Sequence, residues 1–169
     1  EDIQTTHPAD QFDLFIAVGY TRMNQNRQAK CDEAKAKGYR LASYVSPQAI
    51  LDPSVQPGDN CFILEGALVQ PFVRIGEGVT LWSGCHIGHD SQIDDWCFLA
   101  PRVSISGHVN VGHHCFLGIN STVRDHVTIA PRCLIGAAAL ILRDTAENGV
   151  YTGHPARLSK RPSDQVERI

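Results

Sequence analysis

The chain has 169 residues, 43% hydrophobic and 20% charged, enough for one domain with a buried core and a small appendage. A net charge of −3 with both signs interspersed offers no basic patch for a nucleic acid. No run of about 18 apolar residues exists to span a membrane, and no leader peptide is legible in the residues present.

Residues 1–10 are polar and expected to be loose. Phe12 to Val18 is an apolar run closed by Gly19, which predicts a buried strand. Thr21 to Lys37 is rich in Ala, Lys, Gln, Arg and Glu and is followed by Gly38, so it predicts a helix. Arg40 to Val45 predicts a second strand that leads into the central segment of the chain. Residues 1–44 thus make one βαβ unit, too small for a stable α/β domain alone, and are expected to be the back half of a nucleotide-binding domain. The alternative is a packing cap over the open end of the central segment.

From Val45 to about Ala146 the chain keeps a six-residue beat. Stepping by six from Val45 to Ile141 visits seventeen residues, of which sixteen are Ile, Leu or Val and one is Pro57. The register four places on, from Ala49 to Thr145, holds only small or β-branched residues. A period of six fits neither a helix nor a long two-residue alternation, so each hexapeptide is a short strand followed by a turn. Gly58, Gly76, Gly88, Gly112, Gly118 and Gly136 each follow the aliphatic and are expected at corners with positive φ. Five of the six cysteines sit in the small register, with Cys97, Cys115 and Cys133 stacked in one interior column; with no CxxC pair, they are read as buried, reduced thiols of a cytoplasmic protein.

This repeat resembles the hexapeptide-repeat proteins. The resemblance implies a mainly β fold, a left-handed parallel β-helix over residues 45–146 in which three hexapeptides make one triangular coil. The handedness rests on the resemblance, because it opposes the usual right-handed crossover. Residues 147–169 form a C-terminal extension: the beat stops at Glu147-Asn148-Gly149, Val150 to Arg157 ends the ordered part, and the polar tail from Leu158 is a short helix or disordered.

A repeat scaffold carries chemistry on residues that break its pattern. Seven of the eight histidines lie in or just after the coils. The stretches Trp82 to Ser91, Phe116 to Val123 and Gly153 to Arg157 together resemble the sialic-acid O-acetyltransferase-like sugar acyltransferases, which include N-acetyltransferases of nucleotide-linked amino sugars. That family uses a histidine followed by an acidic residue at the position matched by His89-Asp90. Attack of a sugar amine or hydroxyl on a thioester needs a base that titrates near neutrality, and a carboxylate can hold its tautomer. Independently of the family, Gly107 lies eighteen residues on, directly over His89 in the next coil. Its N–H is then free to receive the thioester oxygen as charge grows on it.

The resemblance further implies that Ile119 and Ala137 contact coenzyme A through main chain. The cofactor then lies along the coils toward Arg157, a candidate for a coenzyme phosphate. Phe98 stands where some relatives carry a second histidine. His86 is a candidate acceptor-binding residue placed at a corner, and Trp82 should point outward toward a subunit interface. The expected protein is a cytoplasmic homotrimer that moves an acetyl group from acetyl-CoA to a nucleotide-linked amino sugar, or to a sugar hydroxyl. It does so by direct attack without an acyl-enzyme, and needs no metal, membrane or nucleic acid.

Two other classes compete. The γ-class carbonic anhydrases hold zinc with histidines of two subunits, and His108 and His113 have the required five-residue separation, with His89 as a third ligand. That third spacing does not match, and Asp90, His108 and His126 fall instead in one outward column. A non-catalytic ice-binding β-helix would show regular Thr rows, which this sequence lacks.

Overall fold

The computed structural model describes residues 3–153. Two helices, α1 (Ile3–Thr6) and α2 (Gln25–Ala36), precede a series of two-residue strands that form three parallel sheets. The first wall runs from Tyr44–Val45 through Phe62–Ile63, Thr80–Leu81, Phe98–Leu99, Phe116–Leu117 and Leu134–Ile135 to Val150–Tyr151. Ile50–Leu51, Leu68–Val69, His86–Ile87, Ser104–Ile105, Thr122–Val123 and Leu140–Ile141 make the second. Arg74–Ile75, Gln92–Ile93, Asn110–Val111 and Thr128–Ile129 make the third. The fold is a left-handed parallel β-helix of about six turns.

Pairing partners are eighteen residues apart, as in Phe98↔Phe116, Ser104↔His86 and Asn110↔Gln92, so the six-residue beat closes one coil every three beats. The last rung closes early: Leu134 pairs with Val150, so the first wall continues past the point where the beat stops. The third wall has its first strand at Arg74–Ile75, although Gly58 N–H already donates to the Ile75 carbonyl at 3.0 Å.

Inside the prism, the aliphatic register and the small register form one continuous core. Ile63, Leu81, Ile87, Ile93, Leu99, Ile105, Leu117, Ile129 and Ile135 have no solvent exposure at all. All six cysteines are buried and unpaired. The small register does more than fill space. Ser91 Oγ donates to the Ser106 carbonyl at 3.0 Å, and the thiols of Cys61, Cys97 and Cys115 lie 3.1, 3.2 and 3.3 Å from the carbonyls of Gly76, Gly112 and Ala130. Each reaches the residue just after the next coil's strand, fifteen places on.

Corner geometry differs from the sequence expectation. None of Gly58, Gly76, Gly88, Gly112, Gly118 and Gly136 has positive φ. Left-handed residues instead recur at every sixth position from Asn60 to Ala138, three places after the inward aliphatic, and most are not glycine. Five of those six positions are held to glycine by close stacking of the coils, while a Cβ on Gly136 would lie 3.2 Å from the Tyr151 carbonyl oxygen. A Cβ on Gly118 would lie 2.6 Å from the Ala137 nitrogen, and one on Gly88 would lie 2.6 Å from that of Gly107.

Ahead of the coils the elements are shorter than expected. α2 begins at Gln25 rather than Thr21 because Arg22, Met23 and Asn24 are all left-handed, a conformation no α-helix contains. It ends at Ala36, and two residues on Gly38 (φ 89°) turns the chain, its N–H bonding the Lys35 carbonyl and Tyr39 N–H that of Ala34. The two flanking segments pair through a single parallel bridge, Leu14↔Leu41, beside which Arg40 Nε donates to Asp13 Oδ1 at 3.0 Å. The rest of the first segment is held by the coil: the Asn60 amide accepts from Ile16 N–H at 2.8 Å and donates to its carbonyl.

This N-terminal region covers a flank, not the open end. Phe15 meets Phe62, and Tyr20 sits 4.9 and 4.8 Å from Phe98 and Phe116 on the first wall. On α2, Arg27, Cys31 and Ala34 share one buried face. Arg27 donates to the Gly78 carbonyl at 2.7 Å, Cys31 and Ala34 pack with Trp96, and Gln28 binds His114 along the edge between the third and first walls.

Candidate active site

His89 occupies the turn between the second-wall strand His86–Ile87 and the third-wall strand Gln92–Ile93. Its N–H donates to Gln70 Oε1 at 2.9 Å, and Asp90 N–H donates to the Pro71 carbonyl at 3.1 Å, so the preceding coil fixes both residues. Asp90 is left-handed (φ 56°), which turns its carboxylate back along the edge. The result is a 2.8 Å contact between His89 Nδ1 and Asp90 Oδ2, with the side chains 53% and 43% exposed. A carboxylate only accepts, so Nδ1 carries a proton, and in the neutral ring Nε2 keeps the lone pair.

That lone-pair nitrogen lies against Gly107: a Cβ there would be 2.8 Å from Nε2 and 2.9 Å from Cε1. Gly107 O accepts from His126 N–H, whereas the Gly107 N–H has no acceptor among the described residues. An imidazole and an amide without an acceptor among the described residues thus share one edge, one coil apart, as the eighteen-residue spacing predicts. His108 N–H bonds the His89 carbonyl at 2.9 Å, and its ring lies edge-on to that of His89 at 5.1 Å and stacked on His126 at 4.7 Å. Asp90 lies between the two: its Oδ2 is 4.0 Å from His108 Nε2.

Ile119 and Ala137 occupy a different edge, between the first and second walls. Among the described residues neither N–H has an acceptor. They border an open, mainly apolar groove of roughly 410 Å³ with Trp82, Phe98, Pro101 and Phe116. The structure therefore brings His89, Asp90 and Gly107 together and keeps Ile119 and Ala137 apart from them, across the full width of the second wall. Phe98 is one side of the groove. Arg157 lies outside the described residues.

His86 corrects a sequence expectation. It is not at a corner but within a second-wall strand, between Leu68 and Ser104, because the residue before an inward aliphatic is the outward strand position. Its ring is half-buried, and Nε2 is buried without a partner. His113, which the alternative zinc set paired with His108, stands on the third-to-first edge with its Nδ1 3.0 Å from that of His114, away from His89 and His108.

Beside Asp90 the structure adds residues that sequence reasoning missed. A polar hollow of roughly 240 Å³ is lined by Phe72, Arg74, Asp90, Ser91, Gln92 and Asn110. Arg74, Gln92 and Asn110 are consecutive outward positions of the third wall. The signal was available in the same eighteen-residue spacing, one place before each inward aliphatic. All six cysteines are buried, and burial pushes the Cys61 thiol up to about 12 and those of Cys31 and Cys85 to about 11.

The family of bacterial transferase hexapeptides (six repeats) matches residues 55–89 and 72–107. Perosamine N-acetyltransferase from Caulobacter crescentus, in complex with CoA and GDP-perosamine, is 26% identical, with a TM-score of 0.83 over 94% of this chain and 73% of that one. The acetyltransferase domain of PglB from Neisseria gonorrhoeae, in complex with acetyl coenzyme A, is also 26% identical, with a TM-score of 0.84 over 92% and 74%. WeeI from Acinetobacter baumannii, 17% identical over 89% and 72% at a TM-score of 0.76, shares the fold. Among curated proteins no sequence matches significantly.

Proposed function

We propose that this chain, which carries the hexapeptide repeat and is similar in structure to sugar N-acetyltransferases, transfers an acetyl group from acetyl-CoA to the amine of a nucleotide-linked amino sugar. Two relatives support donor and acceptor, one solved with acetyl coenzyme A and the other with CoA and GDP-perosamine. The observation that carries the reading is the pairing of a His89 Nε2 lone pair with the open Gly107 amide, while Asp90 holds Nδ1.

The sugar nitrogen attacks the thioester carbon as Nε2 accepts its proton. Asp90 stabilises the resulting imidazolium, and the Gly107 N–H receives the oxyanion. Collapse of the tetrahedral intermediate breaks the C–S bond, and the imidazolium returns its proton to the departing thiolate. The products are the N-acetylated sugar and free CoA. Ile119 and Ala137 offer their amides to the pantetheine arm, and Arg157 a charge to a coenzyme phosphate.

Because the donor groove and the base lie on different edges of one chain, the groove of one copy must meet the base edge of another. A homotrimer with three sites between chains satisfies this. The second wall between these edges presents Ile50 and Leu140 at 66% and 60% exposure, with Leu68 beside His86, an apolar face suited to a neighbour. The reduced, buried cysteines suit the cytoplasm, and no helix among the described residues is long and apolar enough to cross a membrane.

The test is thiol release from acetyl-CoA with a panel of UDP-, GDP- and dTDP-linked amino sugars and their counterparts that carry a hydroxyl in place of the amine. At least one amino sugar should give enzyme-dependent release and an N-acetylated product. Release only with sugars that lack an amine would overturn the amine assignment, and release with none would overturn the activity.

A further inference from the structure

The corner that holds the base also collects a second set of ligating atoms. His89, Asp90 and His108 each present one atom, and the three lie within 4.8 Å of one another. His89 Nδ1 and Asp90 Oδ2 are already 2.8 Å apart, and His108 Nε2 is 4.0 Å from the same oxygen. Bonds of about 2.0–2.1 Å to a tetrahedral zinc ion put ligands a little over 3 Å apart, so the His89–Asp90 pair must open by about 0.5 Å and His108 must move inward by roughly 1 Å. Its backbone is fixed by the His89 carbonyl and its ring rests flat on His126, a surface along which it can slide. All three side chains are solvent-accessible, so a hydrated ion can enter.

We propose that this trio is an inhibitory site for a divalent transition metal of the zinc type. Two imidazole nitrogens and one carboxylate select zinc, cobalt, nickel or copper over magnesium and calcium, which prefer all-oxygen shells. Binding silences the base through its tautomer. In the metal-free site the His89 proton sits on Nδ1, leaving the Nε2 lone pair toward Gly107. A metal on Nδ1 displaces that proton to Nε2, which then has no lone pair for the acceptor. With His108 neutral, two nitrogen lone pairs and one carboxylate enter the shell, and no net proton is released. Asp90 changes role in the same step, from accepting the imidazole proton to binding the ion. The inhibition rests on His89 being the base; the metal site itself does not.

The experiment is in two parts on the full chain. In chelator-free buffer, Co²⁺ should give the visible d–d absorption of a low-coordinate site, and this should be lost in His108→Asn and kept in His113→Asn. Asn is chosen because it adopts the left-handed backbone of residue 108 readily. Zn²⁺ should then inhibit acetyl transfer, EDTA should restore it, and the half-inhibitory concentration should rise at least about tenfold in His108→Asn, each variant being compared with its own metal-free rate. Absence of the Co²⁺ band in the wild-type chain, or an unchanged zinc response in His108→Asn, would overturn the site. Failure of the base assignment shows separately, as normal metal-free turnover of His89→Ala.

Discussion

The His89 imidazole lies against Gly107, with Nε2 only 2.8 Å from where a Cβ on residue 107 would stand. Gly107 is not left-handed, so alanine meets no backbone strain there. Gly107→Ala therefore isolates the close approach. The added methyl displaces the base, and steady-state kinetics should show turnover falling by about 10²-fold with little change in thermal midpoint. A variant as active as the parent would mean that the ring does not work from this position.

The proposed donor groove is tested at its exposed rim. Ile119→Glu replaces an apolar wall with a charge that repels the anionic coenzyme. The KM for acetyl-CoA should rise by roughly tenfold, about 1.4 kcal/mol of binding, while the acceptor KM changes little. Parallel loss of both substrates would place the groove elsewhere.

Two glycines in the same repeat should respond oppositely. Gly118→Ala forces a Cβ against the Ala137 nitrogen at 2.6 Å, so denaturation should reveal a loss of about 1–3 kcal/mol. Gly66 has no neighbour closer than 3.7 Å and needs only a left-handed backbone (φ 68°). Gly66→Asn should fold nearly as well as the parent, because Asn60 and Asn120 already occupy equivalent corners.

His114 gives the fold a predictable response to acid. Burial, then the neighbouring His113, lowers its proton affinity below the ordinary value of 6.5. As pH falls through that value the unfolded chain takes up the proton first, so stability declines from there downward and is unaffected above it. His114→Asn keeps the left-handed corner and removes this contribution, so the thermal midpoint should depend less on pH between the depressed folded value and 6.5. An identical slope in both proteins would remove His114 as its source.

Much of this architecture is legible in the sequence because the repeat is strict. The beat through Ile63, Ile87 and Ile135 locates the core, and the eighteen-residue step places Gly107 over His89. The corners mislead because a glycine after the aliphatic satisfies two explanations, positive φ and close coil stacking, and sequence alone does not separate them. His86 misleads for a similar reason, since the outward strand position and the corner differ by a few residues. The N-terminal region is harder: left-handed Arg22 and Met23 carry no local signal, and the grip of Asn60 on Ile16 joins residues 44 apart. Separation of the Ile119 edge from the His89 edge follows from spacing too, because twelve residues on is a different corner while eighteen is the same one.

The most direct measurement is acetyl transfer by His89→Ala, read as kcat and as KM for acetyl-CoA on an acceptor the parent enzyme uses. Loss of the base should lower kcat by roughly 10²–10⁴-fold with coenzyme affinity nearly unchanged. Turnover close to that of the parent would remove His89 from the chemistry and contradict the account.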